Sequence, residues 1–173
     1  MNSYINFEIA QISAGWFDVW FKTVGKNKWV TASDAWDNDS PRAFLQMLCN
    51  ILEENKCEKY VIWDEEPGVY IIFISKRDGK YNIKITYSKI CHHELFADIR
   101  NVSGDKTYEE MREQMDDLEI RFACDNFDYV YFLRTVLRAF EEYDKNEESL
   151  QEYRDNWMDF PHKELEELRQ RLK

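Results

Sequence analysis

Val69-Tyr70-Ile71-Ile72-Phe73-Ile74 is apolar along its whole length. Successive side chains of an extended segment point to opposite faces, so both faces of this one are hydrophobic. Such a strand belongs in the middle of a sheet covered on both sides. Turn signals bound it. Glu65-Glu66-Pro67-Gly68 precedes it, and Arg77-Asp78-Gly79-Lys80 follows, with Asp-Gly suited to a two-residue hairpin. Beyond that turn, Tyr81, Ile83, Ile85 and Tyr87 alternate with Asn82, Lys84, Thr86 and Ser88, the pattern of a half-exposed strand. Tyr60 to Trp63 supplies a further strand upstream.

Working towards the N-terminus, Ser40-Pro41 predicts a helix start, with serine as cap and proline at the first helical position. Phe44, Leu45, Leu48, Ile51 and Leu52 keep helical spacing to about Glu54. Before that helix, residues 4–12 alternate, Ala14-Gly15 makes a turn, and Trp16 to Val24 returns as a hairpin strand. Lys28 to Ser33 is a third strand. In the returning strand Phe17, Val19 and Phe21 form one face, while Trp16, Asp18, Trp20 and Lys22 form the other. Tryptophan is highly buried on average, so the two indoles are expected under a helix; the alternative is an exposed aromatic patch for a partner.

Towards the C-terminus, residues 90–106 read as a loop with a turn of helix near Leu95. Thr107 and Glu110 form a capping box for a short acidic helix with a Tyr108, Met111, Met115 seam. Leu118 to Asp125 alternates as a strand. Asp125 or Asn126 then caps a long helix carrying Phe127, Val130, Leu133, Leu137 and Phe140. Residues 150–158 and 162–172 are helical. The expected fold class is α+β: an antiparallel sheet of about six to seven strands, in two strand groups with a helix between them, covered by helices. The early helix covers one sheet face and the helix after Asn126 part of the other. The chain reads as a single domain over 1–173, with a sheet-containing core at 1–125 and a helical part at 126–173 packed on it.

The 173 residues carry 23 Lys+Arg against 34 Asp+Glu, a net charge of −11. Phosphate contacts need a Lys/Arg surface, so the acid excess argues against a nucleic-acid binder. Six Trp, ten Tyr and eleven Phe with only five Gly and three Pro argue against disorder. No run approaches the ~18 apolar residues of a membrane span. Glu8 and Asp18 stand where a secretory signal would have a basic start and an apolar run. Cys49, Cys57, Cys91 and Cys124 form no CxxC pair, which fits reduced thiols in a cytoplasm. The charge is localised: residues 107–119 hold six acids and one base, and residues 141–173 eleven acids and six bases.

No local motif declares a reaction. Cys91-His92-His93-Glu94 is the only cluster of metal-type side chains, and it lacks the second ligand pair of a zinc site. Asp34-Ala35-Trp36-Asp37-Asn38-Asp39 gathers three carboxylates. As a calcium loop starting at Asp37 it fails, because Pro41 and Arg42 fall where a ligand and a glycine are needed. Its simplest role is helix capping; its functional role is the display of Trp36 among acids as an interface anchor. Trp63-Asp64-Glu65-Glu66-Pro67-Gly68 concentrates acids at a tight turn. No cofactor and no metal is expected.

Ile12-Ser13-Ala14-Gly15-Trp16-Phe17, the Ser40-Pro41 helix start, and Trp63-Asp64-Glu65-Glu66-Pro67-Gly68-Val69-Tyr70 follow one another in an order that resembles bacterial polymorphic-toxin immunity proteins. The resemblance spans about residues 5–88. It implies an acidic intracellular protein that occludes a toxin domain, often a basic nuclease, and it implies no catalytic residues. The leading expectation is a non-catalytic cytoplasmic binding protein for a basic protein partner. Its candidate contacts are Asp34, Trp36, Asp37, Asp39, Asp64, Glu65 and Glu66. The alternatives are a small-ligand domain or hydrolase working through acids such as Asp64 and Glu66, and an oligomerising domain that pairs two copies through Trp16 and Trp20.

Overall fold

The computed structural model describes residues 3–35, 37–90 and 102–173. Trp36, Cys91, His92, His93 and the helical turn expected near Leu95 lie outside the described residues.

The architecture is α+β. Its strands divide between two antiparallel sheets. β1 (Asn6–Ser13), β2 (Trp16–Thr23) and β3 (Lys26–Ser33) form a small meander. The larger sheet has the order β7-β4-β5-β6-β8, from β4 (Cys57–Asp64), β5 (Val69–Arg77), β6 (Lys80–Ser88), β7 (Ser103–Gly104) and β8 (Glu119–Cys124). The helix α1 (Ser40–Glu53) connects the two sheets in sequence. β5 is central, as its double apolar face requires, with Ile71, Ile72, Phe73 and Ile74 all buried. β7 answers to no periodicity: it is a two-residue pairing against Tyr60 and Val61.

Each face of β5 has its own cover. Trp63 and Tyr70 pair on one face, and Tyr60 and Phe73 on the opposite one. On the first, Trp63 meets Phe17 of β2 and Phe44 of α1, both at 6.0 Å between ring centroids. On the second, Phe73 meets Tyr108 at 5.8 Å, at the start of α2 (Tyr108–Gln114). The Thr107–Glu110 capping box is present, and Tyr108, Met111 and Met115 are buried as its seam requires. The far face of the large sheet is therefore covered by this short helix. The longer α3 (Tyr129–Glu141), expected there in part, packs instead on β1 of the small sheet. Phe7, Phe21, Phe44 and Phe132 then share one aromatic core, with every pairwise centroid distance between 5.4 and 6.4 Å.

Two boundaries differ from the sequence pattern for local reasons. β8 carries a bulge: Ile85 opposes Phe122 but Thr86 opposes Ile120, so Arg121 is the extra residue. The alternation is broken there, and Ile120 is 46% exposed. The α3 cap is Asp128, whose carboxylate accepts from the Tyr131 backbone N–H at 2.9 Å. Asn126, at φ 50°, lies in the left-handed region and ends the strand instead. A helix starting at Tyr129 buries Tyr129, Phe132, Leu133, Val136 and Phe140, which leaves Val130 46% exposed.

α5 (His162–Arg171) packs along α1, from Arg42 and Gln46 in its first half to Glu53 at its end, and α4 (Glu147–Asn156) packs against β1. Tyr153, Trp157, Phe160, Leu165 and Leu168 are buried beneath them. Polar ties fix the approach. Arg42 Nη1 donates to Glu164 at 3.0 Å, Arg42 Nη2 to the Asp159 carbonyl at 2.7 Å, and Gln46 to Glu164 at 3.0 Å. Glu164 is buried, so both of its oxygens need these donors. No helix among the described residues is long and apolar enough to cross a membrane.

Candidate functional site

The small sheet has one face in the core and one outside it. Phe7, Phe17, Val19, Phe21, Val30 and Ala32 point inward and are buried. The register then sets the outer face in rows: Glu8 opposite Trp20 opposite Trp29, and Ser13 opposite Trp16 opposite Ser33. The row between them holds Gln11, Asp18 and Thr31. Trp16 is 39% exposed and Trp29 44% exposed, with Trp20 half-buried. The expectation that Trp16 and Trp20 lie under a helix is corrected. α1 and α3 both stack against the phenylalanine side, and the indoles of β2 and β3 are left as an aromatic stripe. Trp20 and Trp29 touch each other, 5.2 Å between centroids and tilted by 57°. Lys22 lies 5.8 Å from the Trp20 ring centroid and forms an ion pair with Glu8.

The two acidic segments flagged in the sequence go to different places. Asp34 and Asp37 are exposed in the loop after β3, with Asp37 at φ 55°. Asp34 lies against the β1–β2 turn: its N–H donates to the Gly15 carbonyl at 2.9 Å. Gly15 has φ +82°, a conformation that favours glycine, and a Cβ there would also meet the Asp34 carboxylate at 2.5 Å, which would have to turn away. Asp39 serves the fold. It is the N-cap of α1, one residue before the serine expected to cap, and accepts from the Arg42 N–H at 3.2 Å. It also takes the Arg42 Nε–H at 2.8 Å and the Trp157 Nε1–H at 3.2 Å.

Asp64 is buried and accepts the Glu66 N–H at 3.2 Å, bracing the β4–β5 turn. Glu66 is exposed. Glu65 faces the Tyr70–Tyr87 pair, whose rings are 4.8 Å apart. Burial and then the hydrogen bond to Glu65 push the Tyr87 phenol up. Burial, with Glu65 next, pushes the Tyr70 phenol up to about 12. Lys28 of β3 completes this group, donating to the Tyr70 hydroxyl at 3.2 Å. Gly68 is needed because any Cβ there would enter the Tyr87 phenol. The turn thus meets β3 near Lys28, at the other end of the strand from Asp34.

Tertiary structure brings a third acidic element to the Trp16 end. Asn156, the last residue of α4, accepts from the Gly15 N–H at 2.9 Å through its carbonyl and from the Ala14 N–H at 3.2 Å through Oδ1. The hairpin turn beside Trp16 is thereby joined to the helix bearing Glu147, Glu148, Glu152 and Asp155. The other acidic stretch, on α2, lies across the large sheet from these indoles.

Concave features on the described residues include open grooves. One of about 410 Å³ lies between β1 and α3, lined by Asn6, Glu8, Thr135, Arg138, Glu142 and Tyr143. Its two acids are engaged, Glu8 with Lys22 and Glu142 with Lys145. Glu109, Glu110 and Glu166 are carboxylates held below their ordinary range, the opposite of what a general acid needs. No group of three or more His, Cys, Asp or Glu among the described residues could hold a metal ion. Sequence reasoning missed the pairing of Trp29 with Trp20, which depends on the β2–β3 register. The period-two run Trp16, Asp18, Trp20 was the signal available for the rest. No family model, no curated protein and no solved structure matches the chain.

Proposed function

We propose that the chain is a non-catalytic cytoplasmic binding protein of the immunity type, which neutralises a basic toxin domain by occluding it. The observation that carries the reading is the set of three indoles, Trp16, Trp20 and Trp29, left uncovered on one face of the small sheet. Tryptophan is among the commonest energetic anchors of protein interfaces. The Trp20–Trp29 pair contributes a cross-strand contact to the sheet, but Trp16 and Trp29 keep much of their apolar surface in water. The partner is read as basic from the charge of −11, and from Asp34 and the acidic helix α4, both tied to the turn next to Trp16. Opposite charge speeds encounter, and the indoles then hold the complex.

The test is capture from the native host at low and physiological salt, with Trp20→Ala/Trp29→Ala as the comparison. The reading expects a basic domain whose retention weakens with salt and disappears in the double variant. It also expects the wild-type chain, and not the variant, to restore growth of cells expressing that domain. A captured basic domain indifferent to the double variant would sink the docking face.

A further inference from the structure

Glu8 and Asp18 are the two carboxylates on the outer face of the small sheet, and they differ in one respect. Glu8 is matched by Lys22. Asp18 is half-buried, and among the described residues no cation and no hydrogen-bond donor reaches its carboxylate. Its neighbours along β2 on the same face are Trp16 and Trp20; across the strands they are the neutral Gln11 and Thr31. With about 6.6 Å between same-face residues, an indole stands on either side of an unmatched negative charge.

We propose that an arginine side chain of a basic partner seats between Trp16 and Trp20, with its guanidinium on the Asp18 carboxylate. This rests on the docking reading above and names the chemistry of its contact. The occupant is a cation because an apolar or anionic group pressed onto this face would strip water from Asp18 and leave its charge uncompensated. Arginine fits better than lysine because a planar guanidinium stacks on indole faces while pairing with a carboxylate through two parallel N–H bonds. Gln11 and Thr31, opposite Asp18 on the neighbouring strands, carry oxygens able to accept the remaining donors. The chain already uses this chemistry one step along the same face, where Lys22 is held by Glu8 and lies over Trp20.

The experiment titrates the full chain with the peptide acetyl-Gly-Arg-Gly-Arg-Gly-amide and with its citrulline counterpart, which keeps the shape and removes the charge. Indole N–H resonances, assigned by single Trp→Phe replacements, report the location. The expected result is displacement of the Trp16 and Trp20 signals by the arginine peptide at millimolar concentration, and none by the citrulline peptide. Asp18→Asn should weaken binding by about tenfold or more, the scale of a lost charge-assisted pair. Asp18→Glu should restore most of it, and Glu113→Gln on α2, across the large sheet, should leave it unchanged. Equal binding by Asp18→Asn, equal binding of citrulline, or silence at Trp16 and Trp20 would each overturn the assignment. The two readings fail separately. A basic partner lost with Trp20→Ala/Trp29→Ala but indifferent to Asp18→Asn overturns the arginine seat and leaves the docking face. Arginine binding at Asp18 with no basic partner retained supports the seat and overturns the neutralising role.

Discussion

The Asp39 carboxylate accepts a hydrogen bond from the Trp157 indole N–H at 3.2 Å, across 118 positions of sequence. The same carboxylate caps α1 and pairs with Arg42, which itself reaches Glu164 and the Asp159 carbonyl. One side chain thus starts the first helix and anchors the last third of the chain to it.

Asp39→Ala should destabilise the protein by about 2–3 kcal/mol, combining a lost helix cap with the loss of a partly buried acceptor. Urea unfolding at neutral pH would measure it. A loss below about 0.5 kcal/mol, the range of ordinary surface substitutions, would mean that the network carries little.

Phe17 is fully buried, with ring contacts to Trp63 at 6.0 Å, Phe140 at 6.1 Å, Tyr153 at 6.0 Å and Trp157 at 5.5 Å. These come from the large sheet, α3, α4 and the α4–α5 connection. Phe17→Ala should therefore cost about 3–5 kcal/mol. Near-UV circular dichroism should fall together with the far-UV signal on denaturation. A variant that keeps wild-type stability would contradict this packing.

Hydrogen bonds from the Thr107 backbone and side chain hold the Glu110 carboxyl below its ordinary 4.5. Arg169, then Gln170, does the same for Glu166. A group whose folded pKa is lowered contributes stability that is present above its unfolded value. That contribution disappears as pH falls through the folded value. The urea midpoint should therefore drop on acidification below about pH 4.5, and Thr107→Ala should flatten part of that drop. A midpoint unchanged between neutral pH and that region would contradict both pairs.

Burial pushes the Cys49 thiol up to about 12. The thiolate is the reactive species, so iodoacetamide at mildly alkaline pH should leave Cys49 unmodified in the native protein and label it in urea. Peptide mapping by mass spectrometry distinguishes it from Cys57 and Cys124. Native-state labelling of Cys49 at the rate seen in urea would contradict its placement in the core.

Much of the fold was legible because its signals are local. The Val69–Ile74 run marks the central strand, Ala14-Gly15 and Asp78-Gly79 fix two hairpins, and Thr107 with Glu110 caps α2 through bonds within four residues. The elements misread were those whose pattern another part of the molecule overrides. Val130 looked like core until the cap moved to Asp128, and Ile120 looked inward until the bulge at Arg121 broke the alternation. β7 exists only because β4 is there to pair with it.

The candidate site divides in the same way. Period-two alternation put Trp16, Asp18 and Trp20 on one face and Phe17, Val19 and Phe21 on the other, as chain geometry alone requires. Both faces are aromatic, so alternation could not say which is covered. That choice is made by α1 and α3, whose phenylalanines Phe44, Phe132 and Phe140 interlock with the Phe face at ring-contact distance. Close packing leaves room for one such arrangement, and the indoles are what remains outside. Net charge and its division between two stretches are properties of the sequence. Only the tertiary structure, through Asn156 on the Ala14-Gly15 turn, sets one of those stretches beside Trp16 and sends the other across the sheet. Hydrogen bonds between residues more than 140 positions apart leave no periodic trace for a sequence pattern to show.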